Sequence, residues 1–419
     1  MAKEDAFRGP VNRNVQKRVA AQRRRRVRPA VRAAKRQAKT ARNPVPAPPP
    51  RRPAAARQPA INRAASGAAP ELKQRFDNLQ RQFTQLEGDA QLASLYTAVG
   101  NIDARLVSLP NKLDELRSRG YVHSGQLEDL LEDIDDRWDE IRPRVDSALR
   151  TQVQQLDRSL DMAERQLTGI RALNAGTLTA AETAVNALSN QINAANQAVT
   201  GLYNGLKSEL DKIEWQIQQV EKMLDLLEQS PEIQLRETEA PIKAVKAQWQ
   251  QHEDEGPNGY LFLTDQRLLF EQREEIVTKK MFGFIKAESE TVQKLLLDLE
   301  VTHLEQISHK REGGFLGMGK DDILELVFTA EAPVSRARFH LDGQRSEEWA
   351  ALLKRVQSGD IDEDRADEYE NEVEEAEALM LQFPEACPNC FAPLSTPPRG
   401  VTSVTCEFCN SVILPKANE

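Results

Sequence analysis

The four cysteines of the chain form two pairs, each with two residues between its members. Cys387 and Cys390 make the first pair, Cys406 and Cys409 make the second, and fifteen residues separate the two pairs. Two turns that each present two thiolates can complete the tetrahedral shell that Zn²⁺ prefers. Because four thiolates leave no position for water, the spacing predicts a structural zinc site and not a catalytic one. Iron is the competing metal for such a shell.

A second pattern, from Gly314 to Lys320, nearly matches the glycine-rich loop that binds nucleotide phosphates. Asp321 stands where that motif needs serine or threonine to bind magnesium, and its carboxylate would repel phosphate. The residues that follow have the pattern of a strand, whereas the motif requires the start of a helix. The five histidines show no metal-ligand spacing. We therefore expect a protein without enzymatic activity.

Composition restricts the class of protein. The chain has 419 residues, of which 40% are hydrophobic and only 5% aromatic, and this suits long helices and small modules better than one large core. No segment approaches the roughly 18 apolar residues of a membrane-spanning helix, and the N-terminus lacks the apolar run of a secretory signal. With every cysteine assigned to metal, a reducing cytoplasm is the predicted location, with peripheral membrane attachment as an addition.

Charge is strongly segregated along the chain. Residues 1–66 contain 19 Lys and Arg and two acidic residues, although the whole chain has a net charge of -9. Residues 1–69 are therefore predicted to be a disordered basic arm rich in Arg, Pro and Ala. The densest charge in this arm is the run Arg23, Arg24, Arg25 and Arg26.

Three roles for the basic arm remain open from the sequence. It could be a solubilising or self-associating tail, it could bind an anionic membrane, or it could bind nucleic acid. Val11, Val15 and Val19 lie four residues apart, so a short basic helix could form on an acidic surface. Charge alone does not separate these roles.

From residue 70 to residue 230, apolar residues recur with a helical, near-heptad spacing. The clearest run is Leu210, Ile213, Ile217, Val220, Leu224 and Leu227. Two glycine-containing breaks divide the region into segments at about 71–118, 124–173 and 179–229, and their similar lengths predict an antiparallel three-helix coiled-coil bundle. A parallel coiled-coil dimer is the alternative, and the region could serve homo-oligomerisation. Pro110 and Pro143 are expected to kink or interrupt their helices.

Between residues 238 and 358 the pattern changes to strands followed by one helix beginning at Ser346. The segment GYLFLTDQRLLFEQ, which contains Thr264-Asp265-x-Arg267-Leu268, and the closing SEEWAALLKRV resemble a GRAM or bacterial PH-like domain. The resemblance implies a β-barrel with a C-terminal helix that binds lipid head groups or protein partners without catalysis. The first loop, residues 251–255, is acidic, which departs from the phosphoinositide-binding pattern of that family.

Two other loops of this region combine cations with apolar residues. The first contains Lys279, Lys280, Phe282, Phe284 and Lys286, and the second contains Lys310, Arg311, Phe315, Leu316 and Lys320. Apolar tips surrounded by Lys and Arg suit the interface of an anionic bilayer or a partner protein. The alternative is that the phenylalanines pack inward.

The C-terminal part has an acidic segment and a cysteine module. Residues 359–382 are predicted to be an acidic linker or a helical extension, and Asp360 to Glu377 includes eleven acidic residues; masking of the basic arm is a further hypothesis for this segment. Residues 383–416, with CPNC and CEFC, closely resemble a zinc ribbon built from rubredoxin-like knuckles.

Together these patterns predict a multidomain α+β protein with a disordered basic tail, a long helical bundle, a PH-like β-barrel and a small zinc ribbon. The function we expect is that of a non-enzymatic adaptor or scaffold. It would dock on a membrane surface or a partner protein through the PH-like module and use the ribbon as a second interaction module. The alternative is a nucleic-acid-associated protein that uses the basic arm and the ribbon.

Overall fold

The computed structural model describes residues 69–236, 238–252, 255–277, 289–313, 321–366, 369, 383–394 and 403–415. The basic arm, with Arg23 to Arg26, lies outside these ranges. The described chain forms two compact units. The helical unit comprises residues 69–110 and 130–214, and the mixed unit comprises residues 111–129 and the described residues from 215 onward. None of the helices in these ranges has the length and apolar character that crossing a membrane requires.

Four helices occupy the region predicted to be helical. They are α1 (Pro70–Asp89), α2 (Ala93–Ser118), α3 (Gly125–Thr168) and α4 (Ala175–Glu228). The first predicted segment is thus two helices, because the chain turns at Leu92, which has a positive φ of 52° and is buried at 1% exposure. The burial of this leucine compensates for a backbone conformation that non-glycine residues rarely adopt.

The two prolines do not end their helices. Pro110 lies inside α2 and Pro143 lies inside α3, and both helices continue for at least two turns beyond them. The predicted interruption is therefore wrong. A proline removes one backbone hydrogen bond, but tertiary packing of an amphipathic face supplies most of the stability of a helix in a folded protein.

In the helical unit, polar pairs connect the helices around the apolar seam. Arg75 of α1 pairs with Glu182 of α4 at 2.8 Å, and Arg105 of α2 pairs with Asp211 of α4 at 2.7 Å. From the first pair to the second, the residue number rises on both sides of the contact, so α4 runs parallel to α1 and α2. Asp103 of α2 accepts a hydrogen bond from the Trp138 indole of α3 at 2.8 Å, so α3 contributes to the same core.

The predicted heptad positions are mostly buried. In the best run, Leu210, Ile213, Ile217, Val220 and Leu224 are buried and Leu227 is half-buried. The same holds for the first run, where Phe76, Leu79, Phe83 and Leu86 are buried in α1. Apolar residues at this spacing therefore pack against other helices, as the pattern predicts.

The mixed unit contains a seven-stranded antiparallel sheet. Its strands are β1 (Pro241–Trp249), β2 (Asn258–Thr264), β3 (Arg267–Val277), β4 (Ser289–Glu300), β5 (Leu304–Glu312), β6 (Asp321–Phe328) and β7 (Arg336–Leu341). Their order across the sheet is β4-β3-β2-β1-β7-β6-β5. Helix α5 (Ser346–Ser358) follows the sheet. We refer to residues 239–366 as the β module.

Helix α5 fills the interior of the curved sheet. Trp349 and Leu353 of α5 are fully buried in one core with Phe270 and Phe339 of the strands. The rings of Phe270 and Phe339 are 5.4 Å apart between centroids. An amphipathic helix after an antiparallel sheet is the arrangement that the resemblance to PH-like domains implies.

The sheet is not closed into a barrel, and the prediction of a barrel needs this correction. β4 and β5 are the two edges, and no hydrogen-bonded pair joins them among the described residues. A 3₁₀ helix (Val301–His303) connects β4 to β5, and α5 packs against β5 and β6 beside this open edge. Gly359, with a φ of 80°, ends α5, and a 3₁₀ helix (Asp360–Asp364) follows, so the described part of the acidic segment does not extend α5.

The cysteine module is held by short strands. β8 (Val404–Thr405) pairs with β9 (Val412–Ile413). Cys387, Cys406 and Ile413 form a small buried cluster, with Phe383 and Leu394 packed against it. We refer to residues 383–415 as the ribbon.

Candidate functional site

The four cysteines form a single cluster. Cys387 Sγ lies 3.6 Å from Cys409 Sγ, and Cys390 Sγ lies 3.6 Å from Cys406 Sγ. All four sulfurs lie within 4.8 Å of one another, and no disulfide joins them. A tetrahedral ion with metal–sulfur bonds of about 2.3 Å places its sulfurs about 3.8 Å apart. The described residues therefore fit a metal ion bound by four thiolates.

Two equivalent turns position the cysteines. The amide of Phe391 donates to the carbonyl of Cys387 at 2.9 Å, and the amide of Asn410 donates to that of Cys406 at 2.8 Å. Both residues that follow a cysteine pair have positive φ, 61° for Phe391 and 57° for Asn410. The left-handed residue turns each chain back so that two sulfurs face the same point.

Ser411 favours the thiolate form of one cysteine of the cluster. Ser411 Oγ lies 3.3 Å from Cys409 Sγ. The hydroxyl and the backbone amide of Ser411 lower the pKa of the Cys409 thiol. The thiolate is the form of cysteine that binds metal.

The ribbon also has four exposed apolar side chains. They are Phe391, Phe408, Val412 and Leu414, which are 82%, 71%, 66% and 66% exposed. Their exposure was not predicted from the sequence. The alternation of Val412, Ile413 and Leu414, with only Ile413 buried, was the available signal.

The strands that precede the two predicted contact loops, β3 and β5, end at opposite ends of the sheet. Gly259 at the start of β2 pairs with Gln272 of β3, so the last residues of β3 extend in the direction of the β1–β2 turn. In contrast, Glu312 pairs with Asp321 at the start of β6, at the other end. Residues 278–288 and 314–320 themselves lie outside the described ranges. They include Lys279, Lys280, Phe282, Phe284, Lys286, Phe315, Leu316 and Lys320.

The two described cations of the second loop are paired with carboxylates. Lys310 Nζ lies 2.7 Å from both Glu312 and Glu325, and Arg311 Nε lies 3.4 Å from Asp322. Hydrogen bonds to Glu312 and Glu325 raise the pKa of Lys310. The positive charge at this end of the sheet is therefore largely offset by neighbouring acids. Strand β6 (Asp321–Phe328) begins directly after residue 320. The sequence predicted a strand at this point, whereas a phosphate-binding loop would be followed by a helix.

The signature residues of the resemblance form a buried polar network. Thr264 Oγ1 donates to Glu239 Oε1 at 2.6 Å and accepts from the amide of Arg267 at 2.7 Å. The Arg267 guanidinium binds both oxygens of Glu239, at 2.9 and 2.7 Å, and reaches Asp298 at 2.7 Å. The side chain of Glu239 is fully buried. These residues fix the β2–β3 turn and do not present a ligand site.

Asp265, the remaining signature residue, connects three segments of the mixed unit. Its carboxylate accepts a hydrogen bond from the amide of Ala240 at 2.9 Å and pairs with Arg365. His123, in the link before α3, has its Nε2 3.8 Å from the same carboxylate. The amide of Ala366 donates to the carbonyl of Val122 at 2.9 Å, which attaches the same link to the end of the β module.

A second network attaches the end of α4 to the sheet. The side chain of Glu271 in β3 is fully buried. It accepts hydrogen bonds from Ser230 at 3.1 Å, from Arg273 at 3.1 Å and from Gln293 at 3.0 Å. This network was not predicted from the sequence, where Glu271 is one of five consecutive polar residues in the second half of β3.

Comparisons with known proteins add little to this description. No family model matches the chain, and no curated protein matches it. Among solved structures, the chain is similar to the C-terminal domain of an unknown protein from Leishmania infantum, with 15% identity, a TM-score of 0.18, and coverage of 28% of this chain and 84% of that chain.

Two further similarities are to DH/PH fragments. For the DH/PH domains of p115-RhoGEF the identity is 15% and the TM-score 0.18, and the match covers 50% of this chain but only 56% of that one. For the DH/PH fragment of PDZRHOGEF, crystallised with human RhoA, the identity is 12% and the TM-score 0.24, with 70% and 96% covered. TM-scores this low do not establish a shared fold.

Proposed function

We propose that the protein is a non-enzymatic adaptor of the cytoplasm that docks on an anionic membrane surface through the β3–β4 end of its β module. The ribbon is a second interaction module that holds one structural Zn²⁺. The zinc assignment is supported by the all-thiolate ligand set, which zinc favours and which leaves no position for a reacting water. A catalytic role is not part of the proposal.

One observation carries the docking proposal. β3 ends and β4 begins at one end of the sheet, and residues 278–288 connect these strands in the sequence, whereas the described cations at the opposite end are already paired with Glu312, Glu325 and Asp322. The lysines of the β3–β4 segment are thereby favoured as the membrane contact over Lys310 and Arg311. Lysines near an anionic surface contribute about 1 kcal/mol each.

The ribbon does not favour nucleic acid as the partner. Residues 383–416 contain only two basic residues, Arg399 and Lys416, against the acidic Glu385 and Glu407. A module that binds phosphates needs cations. Binding of DNA through the basic arm is therefore kept as an outcome of the test and not as a second proposal.

The test uses the chain without its basic arm, residues 67–419, and vesicles of phosphatidylserine with phosphatidylcholine, at physiological salt. The triple substitution Lys279→Glu, Lys280→Glu and Lys286→Glu is expected to weaken co-sedimentation about a hundredfold, because about 3 kcal/mol of attraction is lost. Vesicles of phosphatidylcholine alone should bind neither protein.

The matched control reverses three exposed lysines elsewhere in the molecule, with Lys73→Glu, Lys222→Glu and Lys354→Glu. It changes net charge equally and should retain binding. Equal loss in both triple variants, or full binding by the first, would contradict docking through the β3–β4 end. A duplex DNA shift by the full chain that disappears with the arm would favour the nucleic-acid alternative.

A further inference from the structure

A groove with a volume of about 410 Å³ lies within the helical unit. Its lining comes from the end of α1, the start of α2 and the middle of α4. Binding sites for small molecules have volumes of roughly 300–1,000 Å³, so the groove is large enough to hold one. Its residues belong neither to the proposed membrane contact nor to the ribbon.

Most of the polar side chains in the groove both donate and accept hydrogen bonds. Six of them carry an amide or a hydroxyl group: Gln82, Gln85, Ser94, Ser189, Asn193 and Asn196. Asp89 adds one carboxylate, and none of the described lining residues is basic or aromatic. An anionic ligand would meet a carboxylate and no cation, and an aromatic ligand would find no ring to stack on. Because a hydroxyl group also donates and accepts, a ligand with several hydroxyl groups matches this lining.

The part of α4 that lines the groove has an unusual composition for this chain. Residues 183–206 contain no charged residue, although 29% of the whole chain is charged. The solvent side of a helix normally carries charged residues together with polar ones. In this stretch an exposed position of the groove is occupied by Asn193. α4 therefore offers hydrogen-bonding groups without fixed charge, which suits the recognition of an uncharged ligand.

The turn between α1 and α2 fixes the position of two polar lining residues, Asp89 and Ser94. The amide of Leu92 donates to the carbonyl of Asp89 at 3.0 Å, and the amide of Leu95 donates to the carbonyl of Leu92 at 2.9 Å. Leu92 itself is buried in the left-handed conformation. These contacts hold the end of α1 beside the start of α2. Polar groups that are fixed before binding lose less conformational entropy when a ligand binds.

The remaining lining combines an oriented amide with apolar surface. Asn196 Nδ2 donates to the carbonyl of Ile192 at 3.1 Å, which leaves Oδ1 as the accepting atom of this side chain. Leu86 and Ile192 are buried residues that also line the groove. A sugar ring presents C–H groups between its hydroxyl groups, so it matches a lining of both kinds.

We propose that this groove is a binding site for a small neutral polyhydroxy compound, a sugar or polyol of one or two rings. The carboxylate of Asp89 accepts hydrogen bonds from ligand hydroxyls, and the amide of Asn193 both donates to and accepts from them. The helical unit then has a ligand-binding role in addition to its structural one. This role goes beyond the proposed docking function and does not depend on it.

The test uses the full chain and saturation-transfer NMR, with D-glucose, maltose and myo-inositol as the probes. We expect saturable binding of at least one probe. Asp89→Ala with Asn193→Ala should weaken this binding at least tenfold, because both residues are exposed in the groove and supply hydrogen bonds. Ser94→Trp, at another exposed lining position, should abolish binding by filling the groove. Unchanged far-ultraviolet circular dichroism verifies that the helices of each variant are intact.

The matched control is Asp77→Ala with Asn204→Ala. It changes the same residue types at exposed positions of α1 and α4 that do not line the groove, and it should retain the affinity of the parent. Absence of binding for all three probes would overturn the proposal. Equal losses in the two double variants, or undiminished binding by Ser94→Trp, would overturn it as well.

Two charged compounds test the class of ligand. Glucose 6-phosphate is anionic and spermidine is cationic, and neither should displace the bound probe when present at the same concentration. Displacement by either compound would mean that the groove recognises charge, and the assignment to a neutral ligand would be wrong. The variant Lys279→Glu, Lys280→Glu and Lys286→Glu should bind the probe normally, so the groove and the membrane contact are tested separately.

Discussion

Substitution of Cys387 by serine is expected to abolish stoichiometric zinc binding and to unfold the ribbon. Cys387 is fully buried, and with Cys406 and Ile413 it forms almost the whole interior of this module. So few apolar residues cannot hold a fold by themselves, and metal binding by a four-thiolate site contributes about 10–16 kcal/mol at neutral pH. The purified protein should contain one zinc per chain by elemental analysis, and the variant should contain none.

The loss should be confined to the ribbon. The core of the β module is a separate cluster that includes Trp349, Phe270 and Phe339, so its thermal unfolding should be unchanged in the variant while the region after residue 383 becomes sensitive to protease. Thr405→Ala, an exposed substitution in β8, is the matched control and should retain zinc. Iron in place of zinc, a folded metal-free ribbon, or full zinc content in the Cys387→Ser variant would each contradict the structural zinc site.

Replacement of Arg267 by alanine is expected to lower the free energy of unfolding of the β module by about 3–5 kcal/mol, which is the usual effect of leaving one member of a buried ion pair without its partner. Arg267 and Glu239 have side chains that are 7% and 0% exposed and lie 2.7 Å apart. Arg267 also donates to the carbonyl of Gln234 at 2.7 Å, so the change removes an attachment of the preceding segment as well. Urea unfolding followed by tryptophan fluorescence measures the difference.

The control for this prediction is an exposed ion pair of the same module. Arg345 pairs with Glu347 at 2.7 Å, but the two side chains are 57% and 61% exposed. Arg345→Ala should therefore change stability by less than about 1 kcal/mol. The double variant Arg267→Leu with Glu239→Leu should recover part of the loss, because no uncompensated charge stays buried. A loss below 1 kcal/mol for Arg267→Ala would mean that Glu239 finds another partner.

The sequence predicts well those features that depend on local periodicity. Heptad spacing identifies the buried residues of the helices, and the cysteine spacing identifies the cluster of four sulfurs, because both follow from the geometry of one turn. The strand–helix order of the β module follows from alternation and from the resemblance around Thr264-Asp265-x-Arg267-Leu268.

Features that depend on distant partners are not predictable in this way. The break at Leu92 arises from burial of one leucine in a left-handed conformation, and the open edge of the sheet depends on how strands far apart in the sequence pair. The roles of Glu239, Asp265 and Glu271 need partners 25 to 100 residues away in the sequence. The finding that β3 and β5 end at opposite ends of the sheet requires the strand register, which alternation alone does not give.

The buried carboxylate of Glu271 has a consequence for how the protein can be divided experimentally. The change of pattern after residue 230 suggests an excised fragment of residues 238–358, but such a fragment would lack Ser230, a partner of Glu271, and Arg365, a partner of Asp265. Both acids would then face water or remain without those partners in the interior. A fragment that ends within 367–382 and contains both residues 111–129 and residues 215–366 would keep the partners of Glu271 and Asp265. The boundaries of fragments for biochemical work should therefore be chosen to preserve these buried carboxylate networks, even where the sequence pattern changes elsewhere.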